Sequence, residues 1–374
     1  MYSSPHITPR LHAAAAVHAL ELTAFLRRAS SLLFGPGIIA TTGQNAEPKR
    51  AAGRSLKCTR ARSASLLLAL LLVNRCAAFA PSTKAELTDA VAAWASNATS
   101  AEATYGHISN WITSAITDMS YVFNGLTSFD EPLNWNTSSV TTMRGMFRNA
   151  DTFNQPVNFD TSSVTDMSEM YRADWDHTSS FNQLLDFDTS SVTTMEDMFL
   201  NAEAFNQPVN FDTSSVTTME RMFRKAYAFN QSLNFDTSSV TNMAHMFGNA
   251  DSFNQLLNFD TSSVTNMADM FDSADLFNSP LNFDTSSVTT MEDMFRKAYA
   301  FNQSLNFNTS SVTTMEEMFL GAKAFNQLLN FDTSSVTNMA YMFGNAEVFN
   351  QPLSFDTSSV TTICLLYTSP SPRD

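Results

Sequence analysis

Cysteine is nearly missing from this 374-residue chain, and the three present, Cys58, Cys76 and Cys364, lie outside its main pattern. No disulfide framework and no thiolate zinc site can run through that pattern. Histidine is as sparse: six are scattered, with no H-x-x-x-H pair to seat a metal. Ten glycines and twelve prolines are too few for a collagen-like or disordered array. No Gly-rich phosphate loop, nucleophile elbow or Ser/His/Asp arrangement stands out, so the chain is not expected to be an enzyme, and no cofactor is implied. The apolar run SLLLALLLV at 65–73 is too short to span a bilayer comfortably, so the mature chain is expected to carry no membrane span. Basic charge is lacking from residue 79 onward, where 11 basic face 34 acidic residues, a net −23, whereas residues 1–78 carry +8. An acidic body of that kind repels a phosphate backbone, which excludes nucleic acid as an expected partner.

What is present is a period. The unit FNQPVNFDTSSVTTMERMFRKAYA at 205–228 recurs from Tyr105 with a step of 24 residues. The single exception is the 28-residue step from Phe153 to Phe181, and eleven units result, the last incomplete. All but one of the 20 methionines occupy two positions of the unit, which makes them a packing site written many times rather than thioether copper ligands.

Each unit suggests two elements. Val209 and Phe211 alternate with Asn210, the period-2 mark of a short strand with one buried face. Met219, Met222, Phe223 and Ala226 fall at i, i+3, i+4 and i+7, one stripe of a helix. The residue before the first of these Met is Thr, Asp or Asn in every unit, as a helix N-cap would require. Neither element is stable alone, so neighbouring units must hold both.

The motif FNQ-x-[LV]-x-F-[DN]-T-S-S-V-T-x-M-x-x-M-F-x-x-A resembles the BspA-like leucine-rich-repeat surface proteins of bacteria and their relatives in protists. The entry segment KAELTDAVAAW…YGHISNWITSAITDMSYVF is similar as well, although Phe replaces the family's usual strand Trp after Trp111 and Trp135. The resemblance implies an α/β repeat fold, a leucine-rich-repeat-like solenoid with a parallel sheet on one face and short helices on the other. It also implies a secreted or cell-surface setting and no enzymatic activity.

The expected organisation runs in four parts. Residues 1–78 form a leader region with a signal-peptide-like segment at 62–78, basic ahead of the apolar run and small at Cys76-Ala77-Ala78. The AAFAP junction also resembles a plastid presequence cleavage motif, so the plastid is the alternative to secretion. Residues 79–104 are expected to be a helical cap, with Leu87, Ala90, Val91 and Trp94 on one face, and 105–363 the solenoid. Residues 364–374, CLLYTSPSPRD, resemble a translated sequencing-adapter tail and are expected to be foreign.

Candidate partner-binding residues follow from exposure and irregularity. The outward positions of the expected strands form a polar, nearly uniform row at Asn158, Asp186, Asn210, Asn234, Asn258, Asn282, Asn306, Asn330 and Ser354. Such a row suits a repetitive protein or glycan ligand. The four extra residues of the long unit, within YRADWDHTSS at 171–180, add Trp175 and His177 on a loop edge. Asp at 160, 188, 212, 236, 260, 284, 332 and 356 could line up for Ca²⁺ or cap the Thr-Ser-Ser that follows; Asn136 and Asn308 at the same position favour capping. Sequons at Asn97, Asn136, Asn230, Asn302 and Asn308 are glycosylation candidates in a secreted protein. A structural matrix protein or an ice-contacting repeat is the alternative function.

Overall fold

The structure is a computed structural model that describes residues 78–363. The leader with its segment 62–78 (Ala78 apart), the tail 364–374 and all three cysteines lie outside the described residues.

The described part opens with two helices. Helix α1, Lys84–Ser96, starts at Thr83, whose hydroxyl accepts the Glu86 N–H, while the Glu86 carboxylate takes the N–H and O–H of Ser82. This reciprocal arrangement satisfies amides that a helix start leaves open. Leu87, Ala90, Val91 and Trp94 are its buried face. Helix α2, Ala98–Tyr105, is capped by the Asn97 side chain and ends at Gly106, which takes a φ of 76°. Trp94 packs edge-on against Trp111 of the first unit, and Lys84 forms a 3.0 Å ion pair with Asp118. No described helix is long and apolar enough to cross a membrane.

Beyond residue 105 the expected α/β architecture is overturned. Among the described residues there is no strand, no sheet, and no helix besides α1, α2 and a 3₁₀ turn at Ile108–Asn110. Each unit is instead one coil of turns, stacked on the next.

The stretch expected to be helical shows why. The amides of Met222 and Ala226 bond back three residues, to Met219 and Phe223, closing two successive turns. Those of Arg221, Phe223 and Lys225 leave the unit and donate to Ala244, Met246 and Gly248 of the next coil at 2.8–3.0 Å. Coils joined so directly stand about 4.8 Å apart, whereas an α-helix needs a neighbour about 8–10 Å away. A helix does not fit. The third residue of each turn is left-handed, Arg221 at φ 54° and Lys225 at 57°, as a type II turn requires. The same two positions repeat through Tyr121, Glu169, Asp197, His245, Asn249, Asp293 and Tyr341. Two four-residue turns bury the same four positions as a helical stripe, so the spacing of the methionines does not distinguish the two.

The expected N-cap residues form a ladder of isolated parallel bridges, from Asp118 and Thr142 through Thr218 to Thr362. Their side chains still accept an N–H two residues on, as Asn242 does from Ala244 at 3.0 Å.

The expected strand keeps its alternation but not its ladder. Val209, Phe211 and Thr213 are buried while Asn210 and Asp212 are exposed, yet the one bridge in this part of the coil is Leu257 to Leu281. Proline at 132, 156, 208, 280 and 352 has no N–H to give a ladder. Side chains join the coils there instead. Asn206 Oδ1 accepts the Asn230 N–H at 3.0 Å and the Gln231 amide at 2.9 Å, a pattern that repeats along the Asn column. Thr213, 1 % exposed, donates its hydroxyl to the Asp236 carbonyl at 2.8 Å, and the equivalent threonines do likewise.

Inside, identical rings face each other. Phe199, Phe223, Phe247, Phe271 and Phe295 stack in sequence at 5.5–5.9 Å between centroids. A second column, Phe205 to Phe229 to Phe253, leans on the first at about 4.1 Å. Such contacts add about 0.5–1.5 kcal/mol each beyond burial. The paired Met positions are fully buried beside them.

The left-handed turns generate a test. Lys297 is exposed and sits at φ 51°. Lys297→Gly is expected to stabilise the protein by about 1 kcal/mol, the cost of a left-handed residue with a Cβ. In a helix interior the same change would cost about 1 kcal/mol. Urea unfolding of the two proteins decides, and a lower midpoint for Lys297→Gly rules out the turn geometry.

Candidate functional site

The long unit places its extra residues in one turn, 174–177, closed by the His177 N–H to the Asp174 carbonyl at 3.0 Å. Both feet of this turn are fixed to neighbouring coils. The Asp174 carboxylate receives Arg148 at 2.8 and 3.0 Å, Asn149 at 2.8 Å and Arg172 at 3.0 Å, and its N–H goes to Asn149 Oδ1. From the other side, the Asn201 amide donates to the carbonyls of Asp174 and His177. Partial burial opposes ionisation of Asp174, but the bonds from Asn149 and Arg148 and the charges of Arg148 and Arg172 prevail, holding its carboxyl down at about 2.

The tip of the turn is Trp175, 89 % exposed, while Trp94, Trp111 and Trp135 are buried. His177 does not share that exposure. Its Nδ1 turns back to Asp151 at 3.0 Å, so it fastens the turn rather than joining Trp175 on the surface.

The polar row at Asn158, Asn210, Asn234, Asn258, Asn282, Asn306 and Asn330, with Asp186 and Ser354, is exposed along a different part of the coil. Among the described residues, no side-chain hydrogen bond joins this row to the inserted turn. Among the sequons, Asn97, Asn136 and Asn308 are exposed, whereas Asn230 and Asn302 are half-buried members of the inter-coil Asn column.

The Asp row has a local use. Asp212 Oδ1 accepts the Ser214 N–H at 3.1 Å and its hydroxyl at 2.7 Å, and Asn136 and Asn308 make the same turn. The serine bonds lower the Asp212 pKa. Among the described residues no group of three His, Cys, Asp or Glu is placed to hold a metal ion.

Against known families, four overlapping stretches, 91–185, 158–255, 233–306 and 306–371, match the family described as Mycoplasma protein of unknown function, DUF285. The chain belongs to the DUF285 family. Its overlapping matches tile the repeat array. No curated protein matches the chain, and no solved structure does either.

This DUF285 chain also carries a feature that a helical reading of the unit conceals. The first left-handed position of successive coils aligns Glu169, Asp197, Arg221, His245, Asp269, Asp293 and Glu317 in one column. Upstream the column is neutralised: Glu169 meets Arg144 at 2.7 Å and Arg148 at 2.9 Å, and Asp197 meets Arg172 at 2.7 Å and Arg221 at 2.8 Å. Tyr121 reaches along it to Glu169, passing over Gly145, where a Cβ would run into its ring. Downstream, acids crowd. Burial and the charge of Asp272 push Asp269 up to about 6, with Arg224 and then Arg296 only partly offsetting, and burial and the charge of Asp269 push Asp293 up to about 7, with Arg296 only partly offsetting. Burial, then the charges of Arg224 and Arg221, hold His245 down at about 4.

The sign of the pH effect follows. For Asp269 and Asp293 the folded pKa lies above the ordinary value, so the folded state binds more protons between about 4 and 7. Their contribution is therefore full below the ordinary carboxylate pKa and lost as pH rises through 7. Asp293→Asn is expected to raise stability at pH 8 by on the order of 1–2 kcal/mol. It should also flatten the decline between pH 5 and 8. Thermal midpoints across that range check it, and a variant less stable than the parent at pH 8 refutes the assignment.

Proposed function

We propose that this chain is a non-catalytic repeat scaffold, secreted or displayed at a cell surface, that recognises an extracellular protein or glycan. The observation that carries the reading is the inserted turn. An insertion of no consequence would be expected to hang free, yet here two arginines, two asparagines and a histidine hold four residues in one conformation, and the side chain left at the tip is an exposed Trp. Holding a contact residue in place beforehand removes part of the ordering cost of binding. The similarity of the repeat motif to BspA-like surface proteins supports the extracellular setting, with the plastid as the alternative. The non-catalytic reading rests on the hydroxyl-rich Thr-Ser-Ser-Val-Thr segments having no base among them.

A second reading, a matrix or ice-contacting protein, is favoured by one observation. The exposed hydroxyl of Thr217 donates to the Thr193 carbonyl at 3.3 Å and that of Ser215 to Ser190 at 3.3 Å, and the pattern repeats from coil to coil. These bonds fix the rotamers of a regular hydroxyl-and-methyl surface.

Binding panels of glycans and extracellular proteins test the first reading. At least one ligand is expected to bind the full chain and to lose about tenfold in affinity, roughly 1.4 kcal/mol, with Trp175→Ala. Inhibition of ice recrystallisation that is lost with Thr217→Lys and Thr241→Lys, alongside silent panels, would replace it with the second.

A further inference from the structure

Beside Trp175 lies a recess of about 190 Å³ whose walls include Arg172, Asp174, Leu200, Asn201, Arg224 and Lys225, the Asp174 carboxylate being taken up by Arg148 and Arg172. Its charge is out of character for the chain. Arg144, Arg148, Arg172, Arg221 and Arg296 each have a carboxylate within ion-pairing reach. Among the described residues Arg224 and Lys225 have none. The Arg224 Nε is moreover buried without a hydrogen-bond acceptor. Arg148 also leaves its Nε without an acceptor, but its guanidinium is held by Glu169 and Asp174, and the Nε atoms of Arg221 and Arg296 lie 2.8 and 3.3 Å from the carboxylates of Asp197 and Glu317. The Arg224 charge is felt by Asp269, but neither Arg224 nor Lys225 has a carboxylate in contact, and the open Nε calls for an acceptor that an anion would supply.

We propose that this recess binds the carboxylate or sulfate of an acidic sugar, with the indole of Trp175 lying against the sugar ring. The proposal rests on the recognition reading above and names the ligand class for its inserted turn. A sugar suits the site better than a protein. A stable protein interface covers about 800 Å² per partner around an apolar core, whereas here a single exposed indole is rimmed by charged groups, Arg172, Arg224 and Lys225 with Asp174 and Asp176. A densely charged polymer is also disfavoured, because the chain carries a net charge of −15. A sparsely charged glycan meets mainly the local cations, since exposed charges beyond about 8 Å are screened at physiological salt.

The repeat supplies its own control. Arg224-Lys225-Ala226-Tyr227 recurs three units later as Arg296-Lys297-Ala298-Tyr299. There Arg296 is paired with Glu317 at 3.3 Å, and no Trp stands nearby in the surface recess formed by Lys297, Tyr299 and Lys323. Lys297, like Lys225, has no carboxylate in contact, so the two copies differ in the pairing of the arginine and in the presence of the indole.

Because the other tryptophans are buried, iodide-accessible emission reports Trp175. The full chain would be titrated with a sulfated tetrasaccharide, an oligogalacturonate and a neutral, desulfated tetrasaccharide. We expect at least one acidic sugar to change the Trp175 emission saturably and to bind about tenfold tighter than the neutral one, the equivalent of one charge-assisted contact. The sulfate and carboxylate arms show which anion is preferred. Arg224→Gln and Lys225→Gln should each lower that affinity by about tenfold with the thermal midpoint unchanged, while Lys297→Gln leaves it intact. Equal binding of neutral and acidic sugars, equal loss with Lys297→Gln, or no acidic sugar bound overturns the proposal. If a neutral glycan or a protein binds through Trp175 while Arg224→Gln is silent, the recognition reading survives and this one falls. If nothing binds and Trp175→Ala is silent throughout, both fall.

Discussion

The distance between one coil and the next governs this protein. Amides at 219, 221, 223 and 225 donate directly into the following coil, and the bridge ladder from Asp118 to Thr362 runs beside them. At that spacing every side chain meets its own counterpart one unit on. The Phe columns can then stack, the buried threonines reach the next carbonyl, and the Asn side chains reach the next amide. A coil stripped of neighbours would keep only its three-residue turn bonds, which leave most backbone groups open.

The same constraint puts side chains where a helix would not. Close coils force two left-handed residues per unit, and those positions are occupied by Asp, Glu, Arg, His, Tyr and Lys as well as the more tolerant Asn and Gly. The strain is distributed over the array, offset by inter-coil bonds. One of the two positions lines charged groups up at coil spacing, so their mutual effects accumulate: neutral where Arg144, Arg148 and Arg172 interleave with Glu169 and Asp197, and proton-seeking where Asp269 and Asp293 follow one another.

The inserted turn belongs to the same logic. Four extra residues interrupt the second left-handed position of their unit, where Ala173 keeps a negative φ, and the chain leaves the coil there and returns. The neighbouring coils supply what pins it, Arg148 and Asn149 from before and Asn201 from after. Regularity elsewhere is what makes a single departure so well supported, and it is the departure, together with the unpaired Arg224 and Lys225, that supplies distinctive chemistry to an otherwise uniform polar surface.

Much of this was legible from residue order alone. The period, the buried Met and Phe positions, the Asp and Asn turns over Thr-Ser-Ser, and the role of the Asn column all follow from local chemistry repeated at a fixed step. The helix-like stripe at Met219, Met222, Phe223 and Ala226 was legible but ambiguous, because two four-residue turns and two helical turns bury the same positions. The partners of Arg172, Asp197 and Arg221 were not legible, since they depend on which residues share a column across coils. Sequence by itself determined that units stack and which side chains face inward, because burial is decided within one unit by polarity. Only the tertiary structure decided between helix and turn, set the charged column, and left Arg224 and Lys225 unpaired beside Trp175, because those outcomes depend on how far away the next coil lies.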